Sequence, residues 1–143
     1  PQIIIHKDNS LTEVEKILRD TIESKIAAHT KYEVLLDNKA DRGEVKSLAY
    51  IAVKGLLYFA ANDNNAIQLI EKSEEWSTGL DNVQAIKMYE LIYYLYRNNL
   101  ADKTAMKMLY KYQYCLTELE KKTNLGWGDF SASMESLYKS CFK

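Results

Sequence analysis

Residues 41–66, DRGEVKSLAYIAVKGLLYFAANDNNA, contain the pattern that decides the fold class. Their first half forms an amphipathic helical segment that ends at Gly55, a residue type that commonly terminates helices. The apolar run Leu56–Ala60 follows directly, has the length of a strand and is broken by the polar loop Asn62–Asn65. Helix, glycine, apolar run, polar loop and helix is the order of the βα units that build parallel sheets. This stretch therefore predicts an α/β fold.

Two more apolar runs lie towards the N-terminus. Residues 2–6, QIIIH, are rich in β-branched side chains and predict a buried strand. Residues 32–36, YEVLL, form a second short run. Between the two runs, the spacing of Ser10 and Glu13 is that of a capping box and predicts a helix to about residue 28.

The chain from Asp81 onward is predicted to be helical. The first helix has an apolar face made of Ala85, Met88, Tyr89, Ile92, Leu95 and Tyr96. Asp102 is expected to cap a second helix with an apolar face made of Ala105, Met108, Leu109, Tyr112, Leu116 and Leu119. Residues 127–142 form a final amphipathic segment. The expected architecture is a small parallel sheet flanked by helices, with a helix-rich C-terminal half. An all-α bundle stays open, because periodicity alone does not separate short strands from buried helical segments.

Length, composition and charge limit the class of protein. The 143 residues suit one domain spanning residues 1–143, and 47% hydrophobic with 27% charged residues is typical of a globular chain. No apolar run approaches the roughly 18 residues that span a bilayer, and no signal-peptide pattern is present. Cys115 and Cys141 form no CxxC pair and predict reduced thiols in a cytoplasmic protein. A net charge of −1 gives no global field for nucleic acid.

Acidic residues at element ends are the candidate chemistry. The chain has no P-loop, GxGxxG, HExxH or GxSxG motif. Glu44 lies in the first turn of a predicted helix, and Asp63 follows a predicted strand at the edge where parallel sheets bind ligands. Carboxylates gathered there suit Mg²⁺ or Mn²⁺, which can activate water and stabilise a phosphodiester transition state. The competing interpretation is structural: both residues suit helix caps worth about 1 kcal/mol each.

The order of these segments resembles the middle of a PIN domain. The resemblance rests on the segments 41–49 and 55–66, which match a Gly-Glu at a helix start, a small-residue helix, a buried strand and an acidic pair. The segments 78–80, 92–95 and 99–102 look like the closing elements of that family. The similarity covers about residues 30–115. It implies a PIN-like core of about residues 1–115 with a C-terminal helical extension, 116–143.

Many members of the PIN family are metal-dependent ribonucleases acting on single-stranded RNA, often as the toxic half of a toxin–antitoxin pair. The resemblance implies that Glu44 and Asp63 hold Mg²⁺ or Mn²⁺ and that Asn62 orients water or substrate. Asn62 departs from the family's acidic pair, because it is an amide. The family's first aspartate has no counterpart in QIIIH, since Asp8 comes two residues after His6.

Three functional hypotheses follow. The chain is part of a PIN nuclease whose first acid lies outside it, or a catalytically silent PIN-like domain, or a non-catalytic interaction protein of the immunity or antitoxin sort. The tyrosines bear on the last two, because tyrosine is enriched at protein interfaces and can stack on single-stranded bases. Tyr94, Tyr110 and Tyr114 lie towards the polar side of their predicted helices and are expected to form an exposed interface patch. The oligomeric state is left open.

Overall fold

The order of helices and strands follows the αβα pattern of the central stretch. The computed structural model describes residues 4, 5 and 7–141, and it divides the chain after residue 87 into two compact units. Unit 1 contains α1 (Glu13–Ala27), α2 (Arg42–Lys54), β1 (Tyr58–Ala61), α3 (Asn64–Glu71), α4 (Ser73–Trp76) and β2 (Gln84–Lys87). Unit 2 contains α5 (Met88–Arg97), α6 (Lys103–Tyr114), α7 (Glu118–Thr123) and α8 (Trp127–Cys141).

The N-cap of helix α1 lies two residues after the predicted one. Thr12 is the N-cap: its hydroxyl accepts from the Glu15 amide at 3.3 Å, and the Glu15 carboxylate accepts from the Thr12 amide at 2.7 Å. The predicted box of Ser10 and Glu13 is wrong, because the Ser10 hydroxyl donates to the carbonyl of Lys7 inside a short 3₁₀ turn. A capping box is therefore present, but it is formed by Thr12 and Glu15.

Helix α2 ends as the sequence predicts. Gly55 adopts a φ of 63°, and the Leu56 amide donates to the carbonyl of Ile51 at 3.0 Å. This bond is the hallmark of a glycine-terminated helix, in which a left-handed residue turns the chain out of the helical path. The chain then enters β1 three residues later.

The two strands β1 and β2 form a parallel pair. Tyr58 pairs with Gln84 and Ala61 with Lys87, and α3 and α4 make the crossover. Helices α2 and α3 pack against the strands, so the expected small parallel sheet flanked by helices is confirmed.

The positions of the other predicted strands need correction. Most of the run 2–6 lies outside the described residues, while Ile4 and Ile5 are exposed and belong to no strand. The run 32–36 forms a turn, in which the Glu33 carbonyl accepts from the amides of Leu36 and Asp37. The second strand instead comes from residues 84–87, where a helix is predicted from Asp81. Pairing with β1 supplies the backbone partners of this strand, and no local pattern encodes them.

Each unit has its own hydrophobic core. In unit 1, side chains from α1, α2 and α3 meet those that precede β2; the fully buried ones include Ile26, Val45, Leu48, Leu69 and Leu80. In unit 2, an aromatic cluster joins α5, α6 and α8 around Ile92, Tyr93, Tyr110 and Phe130. Among the described residues, no helix combines the length and the apolar character required to cross a bilayer.

Candidate functional site

Glu44 lies where the sequence places it, in the first turn of α2, and is half-buried. The capping box expected there is not formed, because no side-chain hydrogen bond caps α2. Asp41 has a φ of 55°, and its carboxylate accepts from the Lys31 amide at 2.9 Å instead. The structural explanation offered for Glu44 from the sequence is therefore wrong, and its carboxylate is left with no capping role.

Asp63 and Asn62 are exposed at the carboxyl end of β1. Asp63 caps α3: its Oδ1 accepts from the amides of Asn65 at 2.7 Å and Ala66 at 3.2 Å. The structural interpretation of Asp63 is thus confirmed. Within residues 4, 5 and 7–141, no three or more His, Cys, Asp or Glu side chains are grouped so that they could hold a metal ion.

The three candidate interface tyrosines are not equally exposed. Tyr94 is exposed, Tyr114 is half-buried, and Tyr110 is only 4% exposed. The Tyr110 hydroxyl donates to the carbonyl of Leu125 at 2.9 Å, and its ring stacks on Phe130 with centroids 4.1 Å apart. Burial raises the pKa of Tyr110 to about 12. The expected exposure of Tyr110 is therefore wrong.

The burial of Tyr110 turns α6 away from its predicted orientation. The apolar face predicted to be the core is exposed on α6 and on the segment that follows it, with the largest side chains at Met108, Leu109, Tyr112, Leu116 and Leu119. Helix α6 is apolar on several sides, so periodicity alone does not fix which side is buried. The aromatic side is buried because Tyr110 contacts both Phe130 and Trp127, and such ring pairs add to the free energy of simple area burial.

The exposed face of α6 borders a groove that we call the α6–α7 groove. Two adjoining cavities of about 410 and 380 Å³ form it and share Met108, Lys111, Cys115 and Lys121. Lys107 and Trp127 extend the groove at one end, and Tyr112 and Leu116 at the other. Among the described residues that line these cavities, the only charged ones are the three lysines. The groove is thus apolar inside and basic at its rim.

The lysines of the rim come from both sides of the groove. Lys107 and Lys111 are one helical turn apart on α6, and Lys121 lies on α7, where it pairs with Glu118. The Lys107 ammonium is 5.7 Å from the centroid of the Tyr96 ring. Between the lysines, the Cys115 thiol donates to the carbonyl of Leu125 at 3.5 Å.

An ion-pair network links helices α5 and α8. Arg97 of α5 donates from Nε to Glu135 of α8 at 2.9 Å, and the Tyr93 hydroxyl donates to the same carboxylate. The hydrogen bonds from Arg97 lower the pKa of Glu135 most, and the hydrogen bond from Tyr93 lowers it further, to about 2. Burial, followed by the bond to Glu135, raises the pKa of Tyr93 to about 12. These contacts hold α5 against α8, the two helices that contribute Tyr93 and Phe130 to the aromatic cluster on which α6 packs.

The sequence contained one signal for this groove. Lys107, Lys111 and Lys121 are interleaved with apolar residues, and α6 has two apolar rows, one made of Met106, Tyr110 and Tyr114 and the other of Met108, Leu109 and Tyr112. A helix of that kind leaves one apolar face exposed after the other is packed.

Comparison with protein-family models, with curated proteins and with solved structures gives no match for this chain.

Proposed function

We propose that the chain is a non-catalytic protein-binding module whose docking surface is the α6–α7 groove. The observation that carries this proposal is the exposure of an apolar face next to a lysine-rimmed groove. Met108 is 50% exposed, Tyr112 60% and Leu116 56%, and all three line the groove. Contiguous apolar surface with a polar rim is typical of protein-interaction sites, whereas scattered single apolar residues need no explanation. This is the interaction-protein alternative that the sequence left open.

Site-specific photo-crosslinking tests this proposal. A benzophenone amino acid replaces Tyr112 in the groove or, as the matched control, Leu137, which is 60% exposed on α8 and does not line the groove. We expect one discrete adduct from position 112 in an extract of the source cells, no such adduct from position 137, and its loss in the additional variant Met108→Ser. Equal adducts from both positions, or none from position 112, would contradict the proposal.

The second candidate is a PIN-like, metal-dependent ribonuclease acting on single-stranded RNA. It is supported by Asn62 and Asp63 at the carboxyl end of a parallel strand, where open α/β sheets bind ligands. Glu44 and Asp63 would hold Mg²⁺ or Mn²⁺, and such an ion supplies activated water and charge stabilisation. The donor set fits poorly, since Asp63 already uses Oδ1 as a helix cap and the described residues contain no group of three or more His, Cys, Asp or Glu side chains that could hold a metal.

Thermal melts test the second candidate without an activity assay. Millimolar Mn²⁺ should raise the melting temperature of the protein, and Glu44→Gln and Asp63→Asn should each remove that shift. Asp63→Asn is the informative variant, because asparagine retains the cap of α3 and changes only the charge. Loss of the shift in both variants would justify assays with single-stranded RNA, whereas an unshifted wild type would contradict the metal site.

A further inference from the structure

We propose that the occupant of the α6–α7 groove is an acidic amphipathic helix of a partner protein. This inference rests on the proposed function and adds the chemical class of the partner. It is carried by three features of the groove: its length, its apolar lining and the sign of its rim.

The length of the exposed apolar face suits a short helix. Met108 and Tyr112 are one turn apart on α6, Leu116 follows the end of that helix, and all three line the groove, so a partner helix can place an apolar side chain beside each of them. The part of the groove along α6, from Thr104 to Cys115, is roughly 16 Å long at 1.5 Å per residue, which a partner helix of about three turns covers. The cavity beside Trp127 and Cys115 has room for one large apolar anchor of such a helix.

The charge of the rim selects an acidic partner. Lys107, Lys111 and Lys121 are all exposed, and no acidic residue lines the two cavities in the described part of the chain. The ion pair of Lys121 with Glu118 is itself exposed, and exposed pairs contribute little, so a partner carboxylate can compete for this lysine. A helix with aspartate or glutamate beside its apolar face can pair with lysines on both sides of the groove. Such rim charges act mainly on the association rate and on the choice of partner.

The same charge disfavours a second copy of this chain as the occupant. In a twofold dimer the same patch lies on both subunits, which would bring the three lysines of one groove against the three lysines of the other. Like charges at an interface oppose association.

The lining of the groove disfavours RNA. Met108, Leu116 and Cys115 offer apolar contacts rather than stacking planes, and the two rings on which bases could stack, Tyr112 and Trp127, lie at opposite ends of the groove. Residues 88–143 contain 8 Lys and Arg against 6 Asp and Glu, so unit 2 has a formal charge of only +2. An acidic protein helix therefore uses both the apolar lining and the lysines, which RNA does not.

Designed peptides test the class of occupant directly. Three fluorescent peptides of roughly 16 residues are compared by fluorescence polarisation with the full chain. The first has a leucine face flanked by glutamates, the second has the same leucine face flanked by lysines, and the third has the glutamates with serine in place of leucine. We expect the first to bind most tightly, and its affinity to fall as salt is raised.

Two charge reversals locate the binding site. Lys121→Glu should weaken the first peptide roughly tenfold, because it places a like charge at the rim. Lys122→Glu is the matched control: Lys122 is the next residue of α7, is exposed and does not line the groove. We expect this control to retain near wild-type affinity. Bound peptide should also slow alkylation of Cys115, measured by mass spectrometry in a Cys141→Ser background.

The outcomes separate this inference from the proposed function. Equal binding of the lysine-flanked peptide would overturn the acidic class while leaving the groove as a docking site. Failure of all three peptides, with a specific photo-crosslink from position 112, would overturn the helix and keep the function. Failure of both experiments would overturn both. Self-association that Met108→Ser abolishes, or oligouridine binding that Lys121→Glu abolishes, would identify a different occupant and overturn the inference.

Discussion

Glu135 is the residue through which a network of polar contacts joins α5 and α8. Its carboxylate accepts hydrogen bonds from Arg97 and Tyr93, and Lys139 approaches it at 3.6 Å. The Arg97 guanidinium also lies 3.8 Å from the centroid of the Tyr138 ring. A third of the Glu135 side chain is exposed, so solvent screens these interactions in part. The network therefore holds α5 and α8 together, and it depends on the ionised carboxylate of Glu135.

The ionisation of Glu135 predicts an acid-sensitive stability. Its pKa of about 2 in the folded chain is below the ordinary value of 4.5. The stabilisation is therefore fully present above pH 4.5 and is lost as the pH falls towards 2. Glu135→Gln should reduce this loss, because glutamine does not titrate. Urea unfolding of both proteins at about pH 5 and about pH 3 measures the difference.

The control for this prediction is Glu33→Gln, which removes an exposed carboxylate outside the network. We expect this variant to retain the wild-type dependence of unfolding free energy on pH. An equal reduction in both variants would mean that the network of Glu135 is not the source of the effect.

Helix α2 shows how one residue sets the end of an element. Gly43 and Gly55 lie near opposite ends of α2, and at neither position would a β-carbon meet another atom within 4 Å. Their backbones differ: Gly55 is left-handed, with a φ of 63°, whereas Gly43 lies inside the helix. Adding a methyl group at either position therefore acts through the backbone conformation, and it should change the free energy of unfolding in opposite directions at the two positions.

This pair predicts two opposite changes in stability. Gly55→Ala should lower the free energy of unfolding by about 1 kcal/mol, because alanine is strained in the left-handed region. Gly43→Ala should raise it by roughly 0.5–1 kcal/mol, because alanine restricts the unfolded chain and favours the helix. Urea unfolding of the two variants, each compared with wild type, checks both. A stabilising Gly55→Ala would show that this turn does not require the left-handed conformation.

At the scale of the whole molecule, each unit has a tryptophan beside its own core. Trp76 of unit 1 stacks on His29 with centroids 4.7 Å apart, and Trp127 of unit 2 contacts the rings of Tyr96 and Tyr110. The single-tryptophan variants Trp127→Phe and Trp76→Phe therefore give each unit a separate fluorescence reporter.

These reporters predict the effect of a cavity in unit 1. Leu48 is fully buried in the core of unit 1, and Leu48→Ala should cost about 3–5 kcal/mol. We expect this loss in the unfolding curve of the Trp76 reporter, measured in urea. The matched control is Leu57→Ala, which truncates a leucine of the same unit that is 56% exposed and should change the stability little. Similar losses in both variants would contradict the assignment of the core.

The fold and the candidate site were predictable to different degrees. The ends of several helices could be predicted because each depends on residues a few positions apart: Gly55 ends α2, Asp63 caps α3 and Asp102 caps α6. The strand β2 could not, because its hydrogen-bond partners lie 26 residues earlier in the chain. The groove could not either, since it depends on which face of α6 is buried.

From the residues alone, a helix-rich α/β chain with a parallel βα unit following Gly55 could be predicted, with an all-α bundle as the open alternative. This prediction rests on local hydrogen bonds and on hydrophobic periodicity, because both depend on residues that are close together in the chain. The burial of Tyr110 and the exposure of Met108 and Tyr112 depend instead on tertiary packing. The reason is that α6 offers two apolar faces, and contact with the Phe130 and Trp127 rings of α8 selects between them.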